Sequence, residues 1–272
     1  MIWPFKTPAR KKIARIEVTG AIAGNTRKDV LKALKTVKEK KFPALLLRID
    51  SPGGTVGDSQ EIYFALKELS QTVKIVASFG NISASGGVYI GMGCPHIMAN
   101  PGTITGSIGV ILRGNNLERL LEKVGVSFQV IKSGPYKDIL SFDRELLPEE
   151  KTILQDLIDD SYQQFVETVA TARNLSVDQV KVFADGRIFT GQQALALGVV
   201  DRLGTEEDAR RWAAELAGLD PEKAECETIE EPKPLLKRLT SSQLPNTAIA
   251  NTLDWWEFEL TTSGQPLWLY RP

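Results

Sequence analysis

Residues 73–91 read VKIVASFGNISASGGVYIG, and this stretch decides the class of fold. Its first half is an almost continuous apolar run with the length of a strand, and its second half turns at a glycine pair into helix-like sequence. An apolar run without alternation is expected for a strand that is covered on both faces. We therefore predict a buried strand, a tight corner at Ser85 and a helix directly behind it.

Strands and helices alternate around this stretch through the first 135 residues. Apolar runs predict further strands in KIARIEV (12–18), ALLLRID (44–50), HIMAN (96–100), SIGVIL (107–112) and SFQVI (127–131). Periodic apolar spacing predicts helices in NTRKDVLKALKTVKEK (25–40, capped by Asn25), DSQEIYFALKELS (58–70) and NLERLLEKVG (116–125). Such alternation favours parallel pairing, so the predicted fold class is α/β.

The second half of the chain is predicted to be helical, in the segments 148–173, 176–184, 190–198 and 205–218. We predict one domain over residues 13–225, an N-terminal extension over residues 1–12 and a tail over residues 226–272. The tail contains three of the five tryptophans, which argues against simple disorder. Its PLWLYRP segment predicts an edge strand that docks on the domain or on a neighbouring subunit, and Trp255 and Trp256 are predicted to cover a neighbouring surface.

Composition removes several classes of function. The 33 basic and 34 acidic residues nearly cancel, so we expect no nucleic-acid partner. Cys94 and Cys226 lie far apart, which suits a reducing compartment, and no apolar run reaches the length of a membrane span. We expect a cytoplasmic protein, and Trp3 and Phe5 beside the basic residues 10–12 leave peripheral membrane contact open.

The inventory of reactive side chains narrows the chemistry further. His96 is the single histidine and lies at the start of a short apolar strand soon after Ser85, an awkward place for a triad base, so we predict a structural role. One histidine and two distant cysteines suggest no metal site. Neither glycine-rich stretch has the ending of a phosphate loop, so we expect no cofactor.

Two glycine corners remain as candidate sites. DSPGG (50–54) follows one buried strand and SASGG (83–87) follows the next, so backbone N–H groups from both corners can face one cleft. A serine between a strand and a helix lies where developing negative charge is favoured, and Ser85 fits better than Ser83 because the glycines follow it directly. Without histidine, the usual base is a lysine with a pKa lowered by burial, and the pattern leaves Lys132 and Lys137 both open.

In this order, SPGG, ISASGGVYI, NPGTITGSIGV and SGPYKDI…DGRIFTGQQALALGVVDRLG resemble the signal peptide peptidase A (SppA) family over residues 13–204. The resemblance implies a serine protease with a ClpP/crotonase-like ββα superhelix and a helical C-terminal half. It implies a Ser-Lys dyad with Ser85 as nucleophile and Lys137 as general base. Ser107 matches the serine that hydrogen-bonds the lysine, and Gly54 and Gly86 match the oxyanion donors, with Gly53 as the alternative to Gly54.

The resemblance also implies a ring-like homo-oligomer, and it leaves open whether the serine and the lysine come from one subunit or from neighbouring subunits. The substrates that the resemblance implies are remnant signal peptides and other apolar, extended peptides, which would bind by strand addition beside SPGG. We see neither the N-terminal anchor nor the duplicated half that many relatives carry. Asp50 and Val88 also depart from the family pattern, which leaves open a changed side-chain preference with the dyad unaffected.

Three other functions stay open at this point. A related Ser-Lys protease could trim one particular membrane protein. A crotonase-like acyl-CoA enzyme could use SPGG as its oxyanion site. An inactive oligomeric scaffold would keep the fold and assemble without ever being acylated at Ser85.

Overall fold

The computed structural model describes residues 12–229, 262 and 264–270 of the 272-residue chain. Its strands are β1 (Ile13–Thr19), β2 (Ala44–Ser51), β3 (Gly53–Thr55), β4 (Lys74–Ala84), β5 (His96–Ala99), β6 (Ile104–Gly106), β7 (Ile188–Thr190), β8 (Arg202–Leu203), β9 (Cys226–Thr228) and β10 (Leu267–Leu269). Its helices are α1 (Gly24–Glu39), α2 (Val56–Leu69), α3 (Gly86–Gly91), α4 (Glu118–Val124), α5 (Pro148–Arg173), α6 (Val177–Lys181), α7 (Gly191–Ala196) and α8 (Glu206–Leu216).

The main sheet is largely parallel and has the order β7-β6-β4-β2-β1-β9, with β5 beside β4 and β8 beside β5. Every pair in it is parallel except β6 with β7. Strand β4 is the central element, because β2 pairs along one side while β5 and then β6 pair along the other. The parallel sheet and the α/β class are therefore as predicted.

Both faces of the sheet are covered, which explains the continuous apolar runs. On β2, Leu45 and Leu47 belong to the larger core, which includes residues of α1, α2, α3 and α5. Leu46, the residue between them, belongs to a second cluster on the opposite face, where Trp212 of α8 packs. Successive strand residues point to opposite faces, so only a strand with helices on both sides can bury all three.

Three sequence predictions fail at the level of single elements. The segment SIGVIL (107–112) forms no strand, because β6 ends at Gly106 and the backbone turns at Ser107 with φ 52°; only Ile111 makes an isolated bridge, with Leu267. Asn25 does not cap α1, because the helix begins at Gly24 with Ala23 as the extended cap residue. The segment SFQVI (127–131) forms no strand: its backbone pairs with no other described segment, and Phe128 and Ile131 are exposed. A strand requires a partner edge, and none of the described residues offers one there.

The tail contributes short strands to the domain. Cys226–Thr228 (β9) pairs in parallel with β1, directly after the predicted boundary at residue 225. Leu267–Leu269 (β10) pairs antiparallel with β3. The N-terminal extension up to residue 11, and Trp255 with Trp256, lie outside the described residues.

Within the described part of the chain, no helix combines the length and the apolar character that crossing a bilayer would require.

Phe79 and Phe64 offer a matched test of the two-sided core. Phe79 on β4 is fully buried, whereas the Phe64 side chain on α2 is 60% exposed. We expect Phe79→Ala to lower the free energy of unfolding by about 3–5 kcal/mol, the usual result of emptying a buried aromatic site. Phe64→Ala should change it by only about 0.5 kcal/mol. Urea unfolding at fixed protein concentration measures both, and equal effects would contradict this assignment of the core.

Candidate active site

Ser85 occupies a strained corner between β4 and α3. Its backbone has φ 52° and ψ −115°, a combination that costs a non-glycine residue of order 1–3 kcal/mol and is typically held in place at functional sites. The Ser85 N–H donates to the Gly106 carbonyl oxygen at 2.8 Å, which fixes the corner against β6. The Ser85 hydroxyl is buried and has no hydrogen-bond partner among the described residues. A buried hydroxyl without a partner is unfavourable unless a substrate or a neighbouring group completes it.

Ser107 lies beside this corner, because β4 and β6 are parallel with Ala84 opposite Gly106. Ser85 therefore directly follows Ala84, and Ser107 directly follows its partner Gly106 on the adjacent strand. Ser107 also has φ 52°, and its N–H donates to the Arg187 carbonyl oxygen at 2.7 Å. The structure thus brings the two predicted serines to the same edge of the sheet.

The two predicted glycine corners meet at this edge as well. A Cβ atom added to Gly86 would lie 3.1 Å from the Gly54 nitrogen, and one added to Gly53 would lie 2.6 Å from the Gly86 nitrogen. A Cβ on Gly54 would overlap the Ile22 carbonyl oxygen. Backbone approach this close is possible only for residues without a side chain.

Gly53 and Gly54 differ in how their N–H groups are used. The Gly53 N–H donates to the Ser51 hydroxyl oxygen at 3.1 Å, and that hydroxyl in turn donates to the Gly20 carbonyl oxygen at 2.6 Å. Gly53 also has φ 104°, a conformation that other residues rarely adopt. Its N–H is therefore committed inside the turn, which leaves Gly54 as the better donor for a ligand.

Asp50 supports the corner in a way that the sequence did not reveal. The register between β2 and β4 shifts after Ile49, and the Asp50 carboxylate accepts hydrogen bonds from the backbone of Asn81 at 3.2 Å and Ile82 at 3.0 Å. A Cβ on Gly80 would meet that carboxylate at 2.5 Å. Asp50 therefore acts on the backbone that leads to Ser85. The position directly before SPGG was the available signal for it.

Lys137 does not join the other predicted residues. It is exposed, in a turn where its N–H donates to the Gly134 carbonyl oxygen at 3.3 Å, and no hydrogen bond joins it to the Ser85 hydroxyl. Lys132, the other candidate base, is also exposed and pairs with Asp138 at 2.7 Å. Within the described residues of one chain, no base is hydrogen-bonded to the Ser85 hydroxyl.

Arg144 fixes the turn that carries Lys137. Its guanidinium donates to Asp138 at 2.9 Å and pairs with the buried Glu150 at 2.5 Å. Hydrogen bonds from Arg144, then from the Leu147 N–H, lower the pKa of Glu150 to about 2, so this carboxyl stays ionised at neutral pH. Arg144 likewise holds the pKa of Asp138 well below its usual range. The turn is thus ordered even though Lys137 faces solvent.

The remaining reactive residues lie away from the corner. His96 is paired with Val76, nine residues before Ser85 along the parallel strands, and its ring packs 4.9 Å from that of Trp212. Burial lowers the pKa of His96 and raises that of Cys94. Cys94 and Cys226 are both free thiols. Among the described residues, no cluster of three potential metal ligands forms.

Comparisons with known proteins identify the class that this fold and corner define. A point mutant of ClpP1 from Listeria monocytogenes superposes with a TM-score of 0.51 at 17% identity, over 73% of this chain and 94% of the other. A point mutant of 1510-N, a membrane-bound stomatin-specific protease, gives 0.57 at 15% identity, over 82% and 100%. At such identities the likeness shows the fold alone, which is ClpP-like as predicted.

Sequence similarity then gives the family. A profile described as Peptidase family S49 matches residues 67–220, more than half of the chain, and the chain belongs to this family of serine peptidases. A Synechocystis sp. protein named as a protease is 79% identical over the full length of both chains. Membership of this family identifies a peptidase and argues against the crotonase-like acyl-CoA enzyme.

Two further relatives carry more specific names. A protein of Enterococcus faecium named as the signal peptide peptidase SppA is 38% identical over 74% of this chain and 62% of its own length. The chloroplastic serine protease SPPA of Arabidopsis thaliana is 32% identical over 83% of this chain and 32% of its own length. This chain therefore spans less than two thirds of either relative.

Gly54 and Gly57 provide a matched test of the close approach at the corner. Gly54→Ala should displace backbone and lower the free energy of unfolding by more than about 2 kcal/mol, because its methyl group meets the Ile22 carbonyl. Gly57 lies in α2 with open space around it, so Gly57→Ala should raise stability by about 0.5–1 kcal/mol. Thermal unfolding compares the two, and a tolerated Gly54→Ala would contradict the described packing.

Proposed function

We propose that this chain is a serine endopeptidase with a Ser85–Lys137 dyad that degrades remnant signal peptides and other apolar, extended peptides. The observation that carries the proposal is the Ser85 hydroxyl, which is buried, unpartnered among the described residues and held on a strained corner. The names of the relatives in Enterococcus and Arabidopsis support the substrate class. The two free thiols are consistent with work in the cytoplasm, a reducing compartment.

In this mechanism the Ser85 hydroxyl oxygen attacks the carbonyl carbon of the scissile peptide bond. A neutral amine at Lys137 accepts the hydroxyl proton and then donates it to the leaving nitrogen, which breaks the bond and leaves an acyl ester on Ser85. Water, deprotonated by the same lysine, hydrolyses the ester and regenerates the serine. Ser107, at the neighbouring strand end, orients the lysine through its hydroxyl.

The developing oxyanion would be held by the N–H groups of Gly54 and Gly86. The two residues lie side by side, whereas the Gly53 N–H is already bound to the Ser51 hydroxyl. Preorganised backbone donors of this kind stabilise negative charge without reorganisation during the reaction. This argument favours Gly54 over Gly53.

We further propose that Lys137 completes the Ser85 site of a neighbouring subunit in a ring-like homo-oligomer. The segment 117–147 exposes many large apolar side chains, among them Leu120, Val124, Phe128 and Ile131. Contiguous apolar surface on a soluble protein commonly marks an interface. Covering it with a second copy would remove water from around Lys137 and so favour the neutral amine that the mechanism requires.

Covalent labelling tests the dyad. Intact-mass spectrometry after exposure to a fluorophosphonate should show one adduct, on Ser85, that Ser85→Ala abolishes. Lys137→Ala should slow labelling by about 10²–10⁴-fold, the usual contribution of a general base. Ser83→Ala removes a neighbouring buried hydroxyl and Lys132→Ala removes the other candidate base, and both should keep the adduct. Loss of labelling in either control, with assembly intact by light scattering, would reassign the nucleophile or the base.

Mixing two inactive variants tests whether the dyad forms between subunits. Ser85→Ala and Lys137→Ala chains are unfolded together in equal amounts and refolded. Recovered peptidase activity should be about a quarter of the wild type, because one interface in four then joins an intact serine to an intact lysine. Each variant refolded alone is the control. Full assembly without recovered activity would show that both residues must come from one chain.

A further inference from the structure

The strand β10 lies between two backbone edges beside the serine corner. On one side it pairs antiparallel with β3, placing Trp268 opposite Gly54 and Leu269 opposite Gly53. On the other side Ile111 and Leu267 exchange two hydrogen bonds, at 3.0 and 2.9 Å. A peptide substrate that binds by strand addition makes the same kind of backbone hydrogen bonds as this segment, which is paired on both of its edges.

The backbone of Trp268 reaches the glycines of the proposed oxyanion site. Its carbonyl oxygen would lie 3.1 Å from a Cβ on Gly86, and it would overlap a Cβ on Gly53. The same carbonyl therefore borders both glycine corners. In the proposed reaction, the substrate carbonyl would lie in this place.

The side chain of Trp268 fills an aromatic pocket behind Ser85. Its fully buried indole stacks on the Tyr89 ring with 3.9 Å between centroids, and the Phe165 ring lies 4.8 Å away. Tyr89 belongs to α3, and its N–H donates to the Ser85 carbonyl oxygen at 2.9 Å. The pocket is therefore built on the same short helix that begins at the nucleophile.

We propose that β10 occupies this chain's own peptide-binding groove as an internal competitor of the substrate, with Trp268 filling the pocket that selects the substrate side chain. The proposal rests on the function proposed above and deepens it. The preferred substrate then carries a bulky aromatic residue at the Trp268 position. Leu267 and Leu269 pack toward Ala21 and Ala23, so the flanking residues would be apolar.

Two features make β10 a displaceable occupant. The Trp268 indole N–H is buried without a hydrogen-bond partner among the described residues, an unfavourable arrangement that a permanent core residue normally avoids. The strand and its flanking residues Gly264 and Tyr270 are held by hydrogen bonds between backbone groups, which any extended peptide can also make. A free peptide that makes the same bonds and fits the pocket can therefore replace it.

Peptide binding to a chain that cannot turn over tests the proposal. The probe is a fluorescein-labelled peptide GQPLWLYRP, the sequence of residues 264–272, and fluorescence polarisation gives its Kd. Against full-length Ser85→Ala we expect weak binding, because β10 fills the groove. Ser85→Ala/Trp268→Ala should bind the probe at least about tenfold more tightly, since it has lost the aromatic anchor. Ser85→Ala/Phe64→Ala changes an exposed aromatic residue whose ring contacts Tyr63 rather than Trp268, and it should match Ser85→Ala.

A second probe tests whether the aromatic side chain is what binds, and a second variant serves if Trp268→Ala does not assemble. The peptide GQPLALYRP should bind the Trp268→Ala chain at least about tenfold more weakly than GQPLWLYRP does, because its alanine leaves the pocket empty. A Ser85→Ala chain ending at residue 263 replaces the Trp268 variant if the latter fails to assemble. Equal binding to occupied and emptied chains, or no binding to either, would overturn the proposal.

Hydrolysis of an extended peptide separates this proposal from the proposed function. With Ser85 intact, Trp268→Ala should lower KM by at least about tenfold, since β10 no longer competes, and leave kcat little changed. If Trp268→Ala is active with an unchanged KM, the proposal of an internal competitor is wrong, while the proposed peptidase activity stands. If the Trp268 variant binds the probe more tightly but no chain hydrolyses peptide, the proposed groove and its occupant stand, while the proposed dyad is wrong.

Discussion

The irregular stretch of β4 at residues 80–82 is the constraint on which the candidate site depends. Up to Phe79 the strand pairs regularly with β2, and beyond it two steps on β2 correspond to four on β4. Such an insertion leaves backbone N–H groups without ladder partners, and the Asp50 carboxylate binds those of Asn81 and Ile82. The strand also exchanges β5 for β6 as its neighbour at this point. Ser85 is thereby placed beside β6 and at the mouth of the SPGG turn.

Strain is concentrated at the same edge. Ser85 and Ser107 follow paired residues of adjacent strands, and both have the positive φ that is unusual for a residue with a side chain. Each serine N–H is bound to a carbonyl, of Gly106 and Arg187 respectively, so the surroundings determine both conformations. Rigid backbone of this kind fixes where a hydroxyl points before any substrate arrives.

The sequence predicted those features of the fold that depend on one segment alone, such as a buried strand or a glycine turn. The run before Ser85 predicted a strand covered on both faces because side-chain alternation and burial are properties of the segment itself. SFQVI has the same apolar character but forms no strand, since a ladder needs a partner that the segment cannot specify. Likewise the glycine corners were predicted, whereas the role of Asp50 depends on a register shift between two strands. The Trp268 pocket depends on a tail residue that lies 179 positions after Tyr89 in the chain.

Two features of the candidate site have different consequences: the proposed base is not bound to Ser85 within one chain, and β10 lies in the proposed peptide groove. Lys137 is exposed and makes no hydrogen bond to the Ser85 hydroxyl, so within the described part of one chain the proposed base and nucleophile are not joined. Supplying the base from a neighbour would make activity depend on protein concentration, because assembly is governed by mass action. Displacing β10 would instead depend on the concentration and fit of the peptide, since the competitor belongs to the same chain. An assembled enzyme with β10 in place would remain selective for peptides that bind both backbone edges and fill the Tyr89 pocket.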